Sequence, residues 1–360
     1  MKYIPECPGR AAYGENILAA AQSGFDKEAF TNANVLITGA TGLVGGALAR
    51  TILCADRLFG LNTHILCPVR DISRAREALK GIIERPEAQV FEADITKPLE
   101  IEQNVDYIVH CAGITASKQL VTMSVEVIRT AVESTTALME LAKAKHIKGA
   151  VYLSSMEAFG IPDPALERVS EKDLGYIDLM AVRSCYGESK RLCENLCRCY
   201  AAEYLVPVRS ARLAQTFAAG VNPTEKRVFM SLALSALRGE NAVLHTKGES
   251  TGNYVHIADC VSALIQLLTK GENGDVYTVC ADEPALKIKQ LAYLTCELLS
   301  GGRSKVVFDI PEDLKSLGFA PDVCMVLSNK KLRELGWQPH FTVKDMIVSL
   351  GRDIKELGLA

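Results

Sequence analysis

From Asn34 onward, short apolar runs alternate along the chain with longer segments of helical periodicity. Continuous apolar runs bounded by turns are typical of strands that a parallel sheet buries on both faces. Such runs occur at 35–37, 64–69, 89–91, 107–109 and 150–153. The segments with apolar residues at helical spacing are 43–58, 73–83, 121–145 and 186–204. This alternation predicts an α/β fold of the Rossmann type, a doubly wound parallel sheet with helices on both faces.

The same pattern divides the chain into three predicted units. Residues 1–32 form an N-terminal helical lead-in, and residues 33–215 form the sheet domain. Residues 216–360 have a looser pattern and form a smaller, mixed C-terminal lobe, from which residues 253–280 return to the sheet domain. Within this lobe we expect a helix at 228–237. Loops or turns are predicted where Pro and Gly cluster, at 218–225, 248–252, 310–311 and 320–321.

Composition narrows the possible partners. The 360 residues are 48% apolar and 23% charged with a net charge of -3, so no basic field points to nucleic acid or an anionic membrane. No apolar stretch approaches the ~20 residues that span a bilayer, and residues 1–10 lack the pattern of a secretory signal. The twelve cysteines are scattered without a C-x-x-C pair, which predicts buried thiols, no metal site and a reduced, cytoplasmic protein.

A glycine-rich turn follows the first predicted strand and opens a helix. Its glycines, Gly39, Gly42 and Gly45, have the spacing G-x-x-G-x-x-G. Gly39 permits a tight turn, Gly42 lets a pyrophosphate approach the backbone, and Gly45 lets helix and strand pack closely. Because the helix amino terminus offers unpaired N–H groups to phosphates, the turn predicts a dinucleotide site. The predicted contacts are Gly39, Thr41, Gly42, Leu43, Val44 and Gly45.

Two further segments carry residues suited to proton transfer. Tyr186 and Lys190 are four apart in a helical segment, so both side chains lie on one face, where the cation favours the phenolate. Ser155 follows an apolar strand, at the sheet edge where ligands bind in open α/β folds. The alternatives are an ordinary surface Tyr–Lys pair and a serine that caps the following turn.

In this order, the three segments resemble the extended short-chain dehydrogenase/reductase family, in its NAD-dependent epimerase/dehydratase (nucleotide-sugar) branch. The resemblance covers about residues 33–350 and includes 253–259 in the substrate lobe and 335–339 near the carboxyl terminus. It implies a cofactor NAD(P). It also implies that residues after the third and fourth strands line that cofactor, namely Asp94, Ile95, Cys111, Ala112 and Gly113.

The resemblance also implies the catalytic roles. Tyr186 takes a proton from a sugar hydroxyl as hydride passes to the nicotinamide, and Ser155 orients that hydroxyl. Lys190 binds the cofactor ribose and lowers the pKa of Tyr186, so that both residues also contact the cofactor. Gln215 and His256 are predicted to contact the substrate. A homodimer is expected through the two helices at 121–145 and 186–204.

Glu157 distinguishes the branches of the family. The 4,6-dehydratases and glucuronate decarboxylases of this family carry a Glu at the same position, and that Glu serves the step after oxidation. Met156 replaces the acid that dehydratases use on the leaving hydroxyl, which argues against an ordinary 4,6-dehydratase. The alternative is a Glu that caps a turn.

Other positions depart from the family pattern. Gly252 replaces an Arg that holds the diphosphate in many relatives, and Gln215 and Ala131 each replace an Asn. The substrate phosphates must therefore be held differently. The cations available in the sequence include Lys118, Arg183 and Lys226.

The second strand leaves the cofactor choice open between NAD and NADP. The acid that usually bonds the ribose 2′-hydroxyl is absent, because Val69 stands at its place. Arg70, with Ser73 and Arg74, can pair with a 2′-phosphate, which favours NADP. The habit of the family and the neighbouring Asp71 favour NAD.

The main hypothesis is a redox-neutral nucleotide-sugar enzyme, an epimerase, dehydratase or decarboxylase, that serves surface polysaccharide synthesis. The alternative is a net NADPH-dependent carbonyl reductase of the same superfamily. A third interpretation, a nucleotide sensor without catalysis, conflicts with the intact set of Ser155, Tyr186 and Lys190.

Overall fold

A computed structural model describes residues 4–282, 285–311 and 324–360; the loop predicted at 320–321 lies outside them. The helices are α1 (Ala11–Gln22), α2 (Lys27–Phe30), α3 (Leu43–Phe59), α4 (Ile72–Ala78), α5 (Ser117–Thr122), α6 (Ser124–Lys145), α7 (Ser184–Tyr204), α8 (Val228–Arg238), α9 (Ile257–Lys270), α10 (Ile288–Leu299), α11 (Lys330–Glu334) and α12 (Val343–Glu356), with a 3-10 helix at Met156–Phe159. The strands are β1 (Asn34–Thr38), β2 (His64–Val69), β3 (Ala88–Glu92), β4 (Tyr107–His110), β5 (Gly149–Ser155), β6 (Val208–Leu213), β7 (Gln215–Phe217), β8 (Ala242–Leu244), β9 (Thr251–Gly252), β10 (Tyr254–His256), β11 (Val276–Val279), β12 (Leu286–Lys287) and β13 (Val306–Phe308).

The central sheet has seven strands in the order β11-β6-β5-β4-β1-β2-β3, and every neighbouring pair is parallel. Successive residues of β1 point to opposite faces, so Val35 and Ile37 join one core and Leu36 joins another. Helices α3 and α9 cover the first face, and α6 and α7 cover the second. This confirms the predicted doubly wound Rossmann-type fold.

Two predicted helices differ from their periodicity, one by a break and one by an early end. The segment 121–145 is broken at Met123, which separates α5 from α6. The segment 73–83 is helical only to Ala78, because the backbone turns at Gly81 (φ +83°), where an ideal Cβ would lie 2.7 Å from the Glu6 carbonyl oxygen. Arg50 donates to the carbonyls of Ala78 (2.9 Å) and Lys80 (3.1 Å) and satisfies that helix end.

The amino-terminal segment packs into the core of the sheet domain. Helix α1 contacts α3, α9 and α12. Before it, the fully buried carboxylate of Glu6 accepts from Arg57 (2.9 Å) and Arg85 (3.3 Å). Arg10 bonds Asp353 on α12 (2.9 Å), so the segment ties the sheet domain to the carboxyl-terminal helix.

The remaining elements form a smaller lobe on the carboxyl-terminal side of the sheet. Helices α8, α10 and α12 pack around an apolar core that includes Phe217 and Tyr254. This lobe also contains three short two-stranded sheets, β10–β7, β12–β9 and β13–β8. Helix α9 and strand β11 pack on the central sheet, where β11 pairs with β6. Among the described residues, no helix is both long and apolar enough to cross a membrane.

Candidate active site

The glycine turn between β1 and α3 is shaped by backbone clearance. Gly39 has φ +71°, and a Cβ there would lie 2.7 Å from the amide nitrogen of Ala112. A Cβ on Gly45 would lie 2.4 Å from the carbonyl oxygen of Gly39. Gly42 is the N-cap of α3, whose first backbone bond runs from Gly46 N–H to the Gly42 carbonyl (2.9 Å). No side chain fits at Gly39 or Gly45. The backbone of the turn therefore lies close to the residues that follow β4 and to the first turn of α3.

Gly46, in the first turn of α3, packs against the same glycine-rich segment. This residue was not identified from the sequence. A Cβ on Gly46 would lie 2.8 Å from the carbonyl oxygen of Ala40. The signal was present in the sequence as a doubled glycine after the fingerprint spacing.

A buried chain of hydrogen bonds joins the two strands beside this turn. Thr38 at the end of β1 bonds Nδ1 of His110 (2.8 Å), whose Nε2 bonds Ser134 on α6 (3.1 Å). The Thr38 hydroxyl also accepts from Ala112 N–H (3.3 Å). Burial, assisted by the charge of Lys190, lowers the pKa of His110 to about 3, so the ring is neutral. The chain of bonds fixes the loop after β4 against the glycine turn.

The other residues predicted to line the cofactor lie along the same edge of the sheet. Cys111, Ala112 and Gly113 directly follow β4. Asp94 and Ile95 follow β3, and the Asp94 carboxylate accepts from both the backbone and the hydroxyl of Thr96 (3.0 and 2.7 Å). These bonds lower the pKa of Asp94, which is therefore ionised.

The turn after β2 contains the residues predicted to select the cofactor. Arg70 is exposed there. Asp71 is the N-cap of α4, and its carboxylate accepts from the backbone of Arg74 (3.0 Å) and pairs with the Arg74 side chain (3.2 Å). Asp71 is therefore engaged locally, whereas Arg70 has no partner among the described residues.

The three catalytic residues predicted from the sequence meet at the end of β5. Ser155 ends that strand, its hydroxyl caps the 3-10 helix by accepting from Glu157 N–H (3.2 Å), and it lowers the pKa of Tyr186 on α7. Lys190, one helical turn further along α7, donates to the carbonyl of Leu153 (2.6 Å). Its ammonium nitrogen lies 5.6 Å from the centre of the Tyr186 ring.

The pKa of Tyr186 differs from the expectation that Lys190 lowers it. Loss of water around the hydroxyl, followed by the negative charge of Glu157, raises the pKa of Tyr186 to about 12. The Ser155 hydroxyl and the charges of Arg227 and Arg183 oppose this rise but do not cancel it. Burial also lowers the pKa of Lys190 to about 8. Burial therefore outweighs the nearby cations at Tyr186, and it outweighs Glu194 and the neighbouring cysteines at Lys190.

Glu157 faces this centre from the 3-10 helix that follows β5. Its carboxylate accepts two hydrogen bonds from Arg183 (2.6 and 3.0 Å), and each side chain is about one-third exposed (34% and 35%). The capping alternative therefore does not describe its carboxylate, which bonds a side chain from the start of α7. Arg183, one of the cations available for phosphates, is already neutralised.

A buried ion pair fixes the position of α7 beneath the site. Glu194 lies one helical turn after Lys190, and it accepts two bonds from Arg212 on β6 (2.9 and 2.7 Å). Its carboxylate also accepts from the hydroxyl of Ser154, the residue before Ser155. The pair thus sets the spacing between the strand that carries Ser155 and the helix that carries Lys190. Sequence reasoning missed it, because its members are separated along the chain.

The residues predicted to contact the substrate have different surroundings. Gln215 begins β7, beside β10. His256 is buried, accepts from Ala258 N–H at Nδ1 (3.1 Å) and stacks on Phe341 with ring centres 4.0 Å apart. Burial lowers the pKa of His256 to about 3. The ring of His256 therefore caps α9, and its contact with substrate stays a prediction, as does that of Gln215.

Comparisons with known proteins identify what the chain resembles. A sequence model described as the NAD dependent epimerase/dehydratase family matches residues 35–280. UDP-glucuronic acid decarboxylase 3 of Arabidopsis thaliana is 27% identical over 326 residues, which cover 90% of each chain. UDP-glucuronic acid decarboxylase 1 of Xenopus tropicalis is 28% identical over 307 residues, covering 85% of this chain and 68% of the relative.

Solved structures share the fold at lower sequence identity. A UDP-glucose 4-epimerase of Thermotoga maritima, solved with UDP-glucose, superposes with a TM-score of 0.74 at 20% identity, covering 90% of this chain and 99% of the other. A UDP-glucuronic acid 4-epimerase of Bacillus cereus, solved with UDP-glucuronic acid and NAD, gives 0.74 at 19% identity, with coverage of 90% and 99%.

Proposed function

Because the chain belongs to the NAD dependent epimerase/dehydratase family, we propose that it is a nucleotide-sugar enzyme that decarboxylates a UDP-hexuronic acid. The observation that carries this proposal is the Glu157 carboxylate, held by two bonds from Arg183 beside Ser155 and Tyr186. The curated relatives named above, which are UDP-glucuronic acid decarboxylases, support the same reaction. The pentose product would serve the synthesis of surface polysaccharides.

The residues along the carboxyl edge of the sheet fit a dinucleotide. Thr41 and Gly42 are exposed or half-exposed at the turn, while the buried sides of Gly39 and Gly45 leave no space for a Cβ. The N–H groups at the start of α3 suit a pyrophosphate. When bound, the nicotinamide supplies a reversible acceptor of hydride.

Within this proposal, the side chains of the chain manage protons and charge. Tyr186, as the phenolate, takes the proton of the sugar hydroxyl that becomes a ketone, while Ser155 orients that hydroxyl. The charges of Arg227 and Arg183, which oppose the raised pKa of Tyr186, favour this phenolate. Because this ketone is β to the carboxylate, CO2 can leave and the electron pair passes to the ketone oxygen, which Ser155 and Tyr186 hydrogen-bond. Because Glu157 holds the Arg183 guanidinium, this cation is not available to stabilise the substrate carboxylate against its loss as the neutral product CO2.

The proposal is tested by incubating the enzyme and UDP-glucuronic acid with NAD or with NADP, and measuring CO2 release and the sugar product by NMR. We expect a UDP-pentose, and no turnover of UDP-glucose. Glu157→Gln should lower CO2 release about 10²-fold or more while the initial absorbance change of NAD reduction persists. The matched control is Glu188→Gln, a half-buried acid on α7 that pairs with Arg191 and should retain activity.

Three other results would each contradict decarboxylation. Epimerised UDP-sugar without CO2 indicates an epimerase, and loss of water indicates a dehydratase. Stoichiometric consumption of NADPH with a small carbonyl substrate indicates the reductase alternative.

The proposal extends to the cofactor and the assembly. Arg70 is free to pair with a 2′-phosphate while Asp71 is engaged, which supports NADP over NAD; comparison of the two dissociation constants, with Arg70→Ala, decides between them. A homodimer is supported by exposed apolar side chains on the paired helices α6 and α7, such as Val125 (78%) and Leu192 (51%), and light scattering measures it. A reducing, cytoplasmic location is supported by the twelve free thiols.

A further inference from the structure

The diphosphate of a nucleotide sugar carries negative charge into the substrate cleft, the space between the sheet domain and the smaller lobe. A cation is needed there to bind the phosphates. Gly252 cannot be replaced by a longer residue in this fold, because a Cβ there would lie 2.3 Å from the Tyr254 hydroxyl. Tyr254 is itself buried in the core of the smaller lobe. Arg183 is already neutralised by Glu157. The cation for the diphosphate must therefore come from another element.

Arg227 lies at the position that meets this need. It directly precedes α8, and its guanidinium lies over the Phe229 ring, 5.0 Å from the ring centre. Phe229 stacks on Phe217 (4.5 Å, 9°), which meets Tyr254 edge to face (5.9 Å). The rings of Tyr254, Phe217 and Phe229 thus connect the neighbourhood of Gly252 to Arg227. A guanidinium on an aromatic face is held in orientation while its edge remains free to donate.

The charge of Arg227 also acts on the catalytic centre. It lowers the pKa of Tyr186, as the charge of Arg183 does. Arg227 belongs to the smaller lobe, and Tyr186 belongs to the sheet domain. Leu43 at the glycine turn and Val228, the residue after Arg227, also pack against the same apolar core of the smaller lobe. Arg227 therefore lies on the side of that lobe that meets the sheet domain, where a substrate must lie for its sugar to reach Tyr186.

A carboxylate now occupies the donating edge of Arg227. One oxygen of Glu225 accepts from the Arg227 guanidinium (2.7 Å), and the other accepts from the backbone of Lys226 and Arg227 (2.8 and 3.0 Å). Although burial opposes it, bonding to Arg227 lowers the pKa of Glu225, which is ionised. The Arg227 side chain is 43% exposed, so an incoming anion can reach it.

We propose that Arg227 binds the diphosphate of the nucleotide substrate, and that Glu225 holds its guanidinium ready until the diphosphate replaces the carboxylate. This inference rests on the proposed function for the class of substrate. It assigns Arg227 a binding role that the sequence patterns did not indicate. Phosphate oxygens and carboxylate oxygens accept from the same guanidinium edge, and a diphosphate carries more charge than Glu225.

The test is calorimetric titration of the NAD-loaded enzyme with UDP, UMP and uridine. Loss of one charge-assisted contact predicts that Arg227→Met weakens UDP binding about 10- to 100-fold. UMP should lose less, and uridine should be unchanged. Arg227→Lys should restore part of the UDP affinity, because it keeps the charge without the fork of donors. Glu225→Gln should strengthen UDP binding, since the competing carboxylate is gone.

Arg238→Met is the matched control, an exposed arginine at the opposite end of α8 whose loss should change UDP binding less than about twofold. Unchanged UDP binding in Arg227→Met, equal losses for uridine and UDP, or a wild type that does not bind UDP would each overturn the proposal. The binding assays do not depend on turnover. A normal Arg227 effect without CO2 release from UDP-glucuronic acid therefore preserves this inference and refutes decarboxylation, whereas CO2 release without an Arg227 effect does the reverse.

Discussion

The glycine turn and the substrate cleft are built on different principles. In the turn, residues close in sequence are constrained by distances between backbone atoms, such as the 2.4 Å that a Cβ on Gly45 would leave to the Gly39 carbonyl. In the cleft, charged side chains from separate elements neutralise one another, as Glu157 does with Arg183 and Glu225 with Arg227. Backbone clearance tolerates no substitution, whereas an ion pair can be exchanged for a substrate. The difference suits a cofactor site that stays fixed and a substrate site that responds to charge.

The largest expected effect lies where the two regions meet, at Tyr186. Tyr186→Phe keeps the ring but removes the group that accepts the sugar proton, so kcat should fall about 10²- to 10⁴-fold. Binding of NAD and UDP, measured by calorimetry, should remain within about threefold, because the ring is kept and UDP lacks the sugar hydroxyl on which Tyr186 acts.

The control for this variant is Tyr176→Phe, an exposed tyrosine (67%) in the loop before α7. It should leave kcat unchanged. If Tyr186→Phe weakens NAD and UDP binding as much as it lowers kcat, Tyr186 serves binding in both regions, and the acid–base role assigned to it is wrong.

The second-largest effect tests the close backbone contacts that exclude a side chain from the glycine turn. Gly39 and Gly60 have similar positive φ angles (+71° and +66°) near opposite ends of α3, but of the two only Gly39 has atoms within 4 Å of the position that a Cβ would take. Gly60→Ala should therefore cost about 1 kcal/mol of unfolding free energy, the strain of a left-handed alanine. Gly39→Ala should cost about 2 kcal/mol more, since its Cβ meets the backbone of Ala112.

Urea denaturation of both variants gives these free energies, and NAD titration gives the accompanying change in affinity. Only Gly39→Ala should weaken NAD binding. Equal stabilities for the two variants would mean that the turn yields to a side chain, and the contrast with the cleft would then be lost.

The same difference explains what the sequence could predict. The fold followed from local patterns, because buried strands and helices each have their own periodicity. Gly39 and Gly45 were found because a tight turn requires glycines at fixed spacing. Ser155, Tyr186 and Lys190 converged as expected, since the carboxyl end of β5 and the start of α7 lie side by side.

The partners in the cleft could not be predicted, because no local pattern connects them. Glu157 and Arg183 are 26 positions apart, and the loop between them decides whether they meet. Arg227 was not identified from the sequence, because its role depends on its contact with Phe229 and on its effect on Tyr186 in the sheet domain. The pKa of Tyr186 depends on how much water reaches its hydroxyl, which the spacing to Lys190 does not reveal.

The smallest expected effect compares two buried histidines, one beside the glycine turn and one predicted to contact the substrate. His110 lies beside the glycine turn and His256 begins α9, and burial lowers the pKa of each to about 3. In the unfolded chain a histidine has a pKa near 6.5, so the unfolded state alone binds the proton between about pH 6.5 and 3. Stability contributed by each ring is therefore complete above pH 6.5 and decreases as the pH falls. Between pH 7 and 5 the loss should be about 2 kcal/mol for each histidine.

His256→Asn tests this in the substrate half, since asparagine also caps a helix. The variant should lose about 2 kcal/mol less than the wild type between pH 7 and 5, as measured by urea denaturation at each pH. Asp259, whose pKa burial raises to about 6, contributes with the opposite sign but equally in both proteins. The control is His64→Asn at an exposed position, which should follow the wild type. If His256→Asn has the wild-type pH dependence, then His256 is reached by water and protons in the folded protein. Access of water to the ring would then support the predicted contact of His256 with the sugar nucleotide.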